Sequence, residues 1–130
     1  VMDSRAGLGE GFRLACCAAD RAMVVSTTDA SALRDAQRTV SVLRNRIPRI
    51  HLVVNRVQPR LLRRLHTTID DAMDAAGLPL LGIVPEDPQV MLCANQGQPL
   101  ILRASRGAAV AYLNIAKRLL GQKAPLMKIR

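Results

Sequence analysis

The 130-residue chain contains no tryptophan, one phenylalanine (Phe12) and one tyrosine (Tyr112). Its core must therefore be built from Ala, Val, Leu and Ile, side chains that suit helices packed on parallel strands. No apolar run approaches the roughly 18 to 20 residues a membrane-crossing helix requires, and no charged-then-apolar leader with a cleavage site opens the chain, so a cytoplasmic location is expected. Cysteine is scarce: Cys16, Cys17 and Cys93 have neither a Cys-x-x-Cys spacing nor a histidine at ligand spacing. That excludes a zinc or disulfide framework and leaves them as small core residues. His51 and His66 have no Ser or Cys nucleophile arranged beside them, which argues against histidine-driven nucleophilic catalysis.

Two Gly-rich signatures are also missing. No G-x-x-x-x-G-K-[ST] run occurs, so the chain has no backbone cradle and lysine for β- and γ-phosphates. Gly7, Gly9 and Gly11 follow one another as G-x-G-x-G, with Phe12 where the dinucleotide fingerprint needs a third glycine, which excludes a nicotinamide-binding Rossmann site.

Positive charge is abundant. Nineteen basic against ten acidic side chains give a formal charge of +9. The cations crowd at Arg44, Arg46 and Arg49 and again at Arg60, Arg63 and Arg64. An acidic partner (nucleic acid, anionic lipid or nucleotide) fits this balance, although a solvated helix face would carry the same residues. No aromatic side chain interleaves the arginines, so a base-stacking platform is disfavoured.

Four short apolar runs, Val1–Asp3, Ala22–Ser26, His51–Val57 and Leu80–Val84, read as strands, each followed by a helical pattern. This alternation is that of an α/β fold: a parallel sheet with flanking helices. Leu33, Ala36, Val40 and Leu43 fall at helical spacing within Asp29–Arg46, with Thr28 or Asp29 as N-cap and Pro48 as stop. A second helix is expected over Leu61–Ala76, with Leu62, Leu65, Ile69 and Met73 on one face and Gly77 closing it. A last helix, Ser105–Leu120, should bury Ala108, Tyr112, Ile115 and Leu119 before Gly121. No linker, repeat or low-complexity tract divides residues 1–130, which read as one partial domain. Val1–Asp3 reads as the end of a strand whose earlier part is absent.

Three loops follow strand ends, where ligands bind in open α/β sheets. Asp3 leads into Ser4–Gly11; a carboxylate there suits Mg²⁺, which prefers hard oxygen ligands, but would equally serve as a turn or helix cap. Asn55–Arg56 and Pro85–Glu86–Asp87–Pro88 occupy the other two. The Asn55 carboxamide offers a donor and an acceptor side by side, as an adenine edge demands, and a proline-bearing loop makes a rigid wall beside a base.

Taken together, MDSRAGLGEGF resembles the Asp-Ser-Pro-Ala-Gly switch II segment of the MinD family, the bacterial relatives of ParA, and ADRAMVVSTTDASALRDAQR resembles the strand and helix that follow it. LVVNRV, LLGIVPEDPQV, ANQGQPLIL and AVAYLNIAKRLLG continue the likeness in the family's order over nearly the whole chain. The resemblance implies the C-terminal part of a P-loop NTPase with a deviant Walker A motif, whose P-loop half is absent here.

By the same resemblance, Asp3 corresponds to the Walker B aspartate beside Mg²⁺ and Gly7 to the switch II glycine that senses the γ-phosphate. Asn55, Arg56, Pro85 and Asp87 match the adenine-side loops. Glu10 matches a position near the ATP-dependent dimer contact, and Asp29, Ser31 and Asp35 fall on the helix serving the homodimer face and division-site regulator proteins. The implied activity is binding and hydrolysis of ATP with Mg²⁺, driving a dimerisation switch that positions the division site. A chromosome-partitioning or flagellar-number ATPase is the nearest variant. The rival class is a non-hydrolysing basic module that docks on DNA, anionic lipid or a division protein.

Arg5 departs from the family's proline and changes the charge of the switch while leaving the following glycine in place. The family also places its P-loop strand between the Walker B strand and the strand matching Ala22–Ser26. Without it, strand edges and apolar helix faces are left uncovered, at a cost exceeding the usual net stability of about 5–15 kcal/mol, so the isolated chain is expected to be marginal. Where the family commonly ends in an amphipathic membrane-binding helix, Gln122–Arg130 offers Leu126, Met127 and Ile129 beside Lys123, Lys128 and Arg130, a weak contact for the periphery of an anionic membrane.

Overall fold

The computed structural model describes residues 1–127. Three parallel strands, β1 (Arg21–Ser26), β2 (Arg49–Val57) and β3 (Leu80–Pro85), lie in the order β1-β2-β3. In sequence order the helices are α1 (Glu10–Ala18), α2 (Ala30–Leu43), α3 (Pro59–Leu65), α4 (Ile69–Ala76), α5 (Pro88–Asn95) and α6 (Ala108–Leu119), with a 3₁₀ turn at Leu100–Leu102 before the last. The parallel α/β architecture read from the alternation is present.

β2, the middle strand, buries both faces. Ile50, Leu52 and Val54 join Phe12 and Cys16 of α1, Ala36, Val40 and Leu43 of α2, Leu62 of α3 and Ala72 and Ala76 of α4 in one cluster. Val53 joins Leu81, Val84 and Ala108, Ala111 and Ile115 of α6 in a second. Helices thus cover the sheet on two sides, so its central strand needs no polar alternation. Cys16 and Cys93 are buried and Cys17 exposed, all three free.

α2 begins where Asp29 caps it, its carboxylate accepting the Ala32 N–H. The N-cap is therefore Asp29 rather than Thr28. The chain leaves this helix at Leu43, before Pro48.

The single helix expected over Leu61–Ala76 is two helices. α3 stops at His66, which takes the left-handed conformation (φ 51°), and α4 starts from Thr68, whose hydroxyl accepts the Asp71 N–H while the Asp71 carboxylate accepts the Thr68 N–H. This reciprocal capping box satisfies donors that a continuous helix would have paired internally. In consequence Leu65 is exposed rather than buried, while Leu62 stays in the core. Gly77 closes α4 in the left-handed conformation as expected (φ 67°).

Tyr112 is also a correction: it is exposed, and Ala111 takes the buried place on α6. The cause is close packing at Gly82 of β3, where an added Cβ would stand 2.3 Å from Ile115 Cγ1. Ile115 fills the space a side chain would have taken, and that contact sets the roll of the helix. Residues 1–9 form no strand, correcting the reading of Val1–Asp3. A strand exists through its ladder, and no described strand pairs with this segment. β1 is accordingly an edge, with Met23 and Val25 exposed on it.

Beyond α6 the chain turns back along β3. Arg118 donates to Ala124 O and to Leu81 O, Asn114 Nδ2 donates to Pro125 O, and Met127 packs against the first core cluster. Met127 is thereby committed to the body of the domain, while Leu126 stays exposed. Lys128, Ile129 and Arg130, the remainder of the expected tail motif, lie outside the described residues. No helix among the described residues is long and apolar enough to cross a membrane.

Candidate functional site

Parallel strands carry their C-terminal ends to one edge of the sheet, and there the structure joins two of the three loops singled out in the sequence. β2 runs on through Asn55 and Arg56, but its pairing with β3 slips between Val54 and Val57. Within that irregularity Arg56 has φ 54°, a left-handed conformation uncommon outside glycine and found at bulges and functional sites. Asn55 Oδ1 accepts the Arg56 N–H at 2.9 Å. One lone pair of the carboxamide is thus committed, and its amide nitrogen is left as a donor.

Across the rim, Glu86 N–H donates to Val57 O at 3.0 Å, and Arg56 Nε donates to Glu86 Oε2 at 3.1 Å. The turn after β2 and the turn after β3 therefore meet through backbone and side chain. Beside them opens a cleft of about 430 Å³ lined by Val57, Gln58, Pro59, Arg60, Arg63, Pro85 and Glu86. Its size falls in the range of small-ligand sites, and two prolines give it rigid walls. With Glu86 paired to Arg56, the charges lining it that make no ion pair among the described residues are those of Arg60 and Arg63.

Asp87 stands next to the cleft with its carboxylate turned inward. Its Oδ1 accepts the Gln89 N–H at 2.9 Å, capping α5, and its Oδ2 accepts the Ala108 N–H at 3.0 Å, the first residue of α6. Gly107, with φ 61° and ψ −128°, makes the approach possible, because a Cβ there would lie 2.5 Å from Asp87 Oδ2. Asp87 thus anchors two helices beneath the rim.

The third loop precedes α1. Asp3 and Gly7 lie in the exposed segment before α1, Gly7 at φ 91°, and Glu10 opens that helix, also exposed. Asp3 makes no ion pair among the described residues, which contain no cluster of three or more His, Cys, Asp or Glu placed to hold a metal. A single free carboxylate fits one position of a Mg²⁺ shell that is otherwise water and phosphate oxygen.

On α2, Asp29 accepts hydrogen bonds from the Thr27 and Ser31 hydroxyls and the Ala32 N–H. The Thr27 hydroxyl first, then Ser31 and the Ala32 N–H, hold its carboxyl below the usual value. Asp35 faces solvent further along the helix, 3.9 Å from Arg38. One arginine of the basic clusters is occupied by structure, Arg44 Nη2 donating to Gly77 O at the end of α4, and outside them Arg21 Nη1 donates to Leu119 O at the end of α6. These are C-terminal caps, where the helix dipole favours a cation. The sequence reading placed Glu86 in the loop after β3 but gave it no role of its own, and it grouped Arg60 and Arg63 by charge alone rather than by the cleft they share.

No protein-family model matches the chain. The septum site-determining protein MinD of Bacillus subtilis is 38% identical over 129 residues, 97% of this chain and 48% of that protein. The solved structure of MinD from Aquifex aeolicus superposes with a TM-score of 0.89 at 31% identity, over 96% of this chain and 54% of that one, and a MinC:MinD complex from the same organism superposes at 0.87. MinD of Pyrococcus horikoshii complexed with Mg-ADP gives 0.78 at 25% identity, covering 90% of this chain and 48% of that one. The chain spans about half the length of the curated relatives it matches. Over that half, this chain matches the MinD proteins in both sequence and parallel α/β fold.

Proposed function

We propose that this chain provides the base-binding side and part of switch II of a MinD-type ATPase, one that binds ATP and Mg²⁺ and dimerises across the nucleotide to position the cell-division site. The observation that carries the reading is the joined rim, where Asn55, Arg56 and Pro85 stand together at the C-terminal edge of the sheet, braced by the Arg56–Glu86 contact. Asn55 donates to the base, Pro85 walls it and Asp87 fixes the helices under it. The phosphates are held by a loop outside these 130 residues, which therefore form one partial domain and are inactive alone. Mg²⁺ bound to the phosphates supplies electrostatic stabilisation of transferring charge, and Asp3 is the residue here that would hold it. Gly7 provides the flexible backbone that responds to the terminal phosphate.

Support for the nucleotide comes from the Pyrococcus horikoshii relative, solved with Mg-ADP, and for a division-regulator partner from the Aquifex aeolicus MinC:MinD complex. Asp29, Ser31, Asp35 and Glu10 lie on exposed surface suited to a homodimer or regulator contact. Leu126 remains available to a peripheral contact with anionic membrane. The test is the oligomeric state of the chain joined to the half of Bacillus subtilis MinD that it does not span. Light scattering is expected to show a dimer with Mg-ATP and a monomer with Mg-ADP; a monomer in both would reject the switch.

A further inference from the structure

Arg56 and Glu86 lie thirty positions apart in sequence and meet by one tooth of the guanidinium, Nε to Oε2. Neither Nη1 nor Nη2 of Arg56 makes a hydrogen bond to the described residues. The left-handed backbone at Arg56 breaks the strand alternation, and the bulge turns this side chain across the sheet edge toward the neighbouring loop. A free arginine head samples many rotamers; this one is held at Nε with both terminal amino groups left to donate. Glu86 itself lines the cleft, and its charge is met by Arg56 rather than by Arg60 or Arg63.

We propose that Glu86 is a positioning residue that aims the Arg56 guanidinium at a purine base on this rim. This rests on the nucleotide reading above. The planar fork of Arg56 then donates to ring nitrogens of the base or stacks on its face. Glu86 contributes orientation, its carboxylate accepting Arg56 Nε.

The experiment compares, in the fused protein, the affinity for a ribose-labelled fluorescent ATP analogue with that for inorganic triphosphate, which has no base. Glu86→Gln removes the charge at nearly constant shape and is expected to weaken the ATP analogue about two- to fivefold, the scale of an exposed ion pair, while triphosphate affinity is unchanged. Arg56→Ala should lose at least as much, the double variant no more than Arg56→Ala, and Glu86→Asp should recover part of the affinity. Unchanged ATP affinity in Glu86→Gln, or equal losses for ATP and triphosphate, overturns the positioning role while leaving the nucleotide reading intact. If the unsubstituted fused protein binds the ATP analogue no better than triphosphate, both fall together.

Discussion

Asp87 accepts backbone N–H groups from two helices at once, at Gln89 and at Ala108. Removing the carboxylate orphans both donors, and an N-cap is worth about 1 kcal/mol with a second partly buried donor adding about 1–2. Asp87→Ala in the fused protein is therefore expected to lose about 2–3 kcal/mol in urea unfolding, with Asp87→Asn losing less; a loss under about 0.5 kcal/mol would show that the double anchor contributes little. The sequence marks Asp87 as a loop residue between two prolines. It does not show that the start of α6, twenty-one positions on, closes over the same carboxylate, because that contact exists only once β3 and α6 have packed through Gly82 and Ile115.

At the scale of elements, α2 was legible because spacing and cap agree: Ala36, Val40 and Leu43 face the core and Asp29 stands where the chain must satisfy free N–H groups. The α3–α4 break was hidden because Leu62, Leu65, Ile69 and Met73 keep helical spacing straight across it. The signal lay in Thr68 and Asp71, three residues apart, a capping box in mid-pattern. Thr68→Ala is expected to cost about 1 kcal/mol in the same unfolding measurement, whereas a gain would mean that the two helices prefer to be one. Val1–Asp3 failed as a strand for the opposite reason: its composition is apolar, but a strand needs a neighbour that the described chain does not provide.

For the molecule as a whole, the parallel sheet followed from the order of apolar runs, and parallel strands bring their strand-to-helix loops to one edge. What order alone could not show is which loops touch. Asn55–Arg56 and Pro85–Glu86 are bound together, whereas Asp3 and Gly7 lie in a separate exposed segment. On the proposed function, this chain binds nucleotide only when joined to the half of the relative that it does not span. The direct measurement is titration with a fluorescent ATP analogue and Mg²⁺ of the 130-residue chain alone and of the same chain joined to the half of Bacillus subtilis MinD that it does not span. Saturable binding by the joined protein and none by the chain alone is the predicted result; binding by neither would contradict the nucleotide site and favour a basic docking module instead.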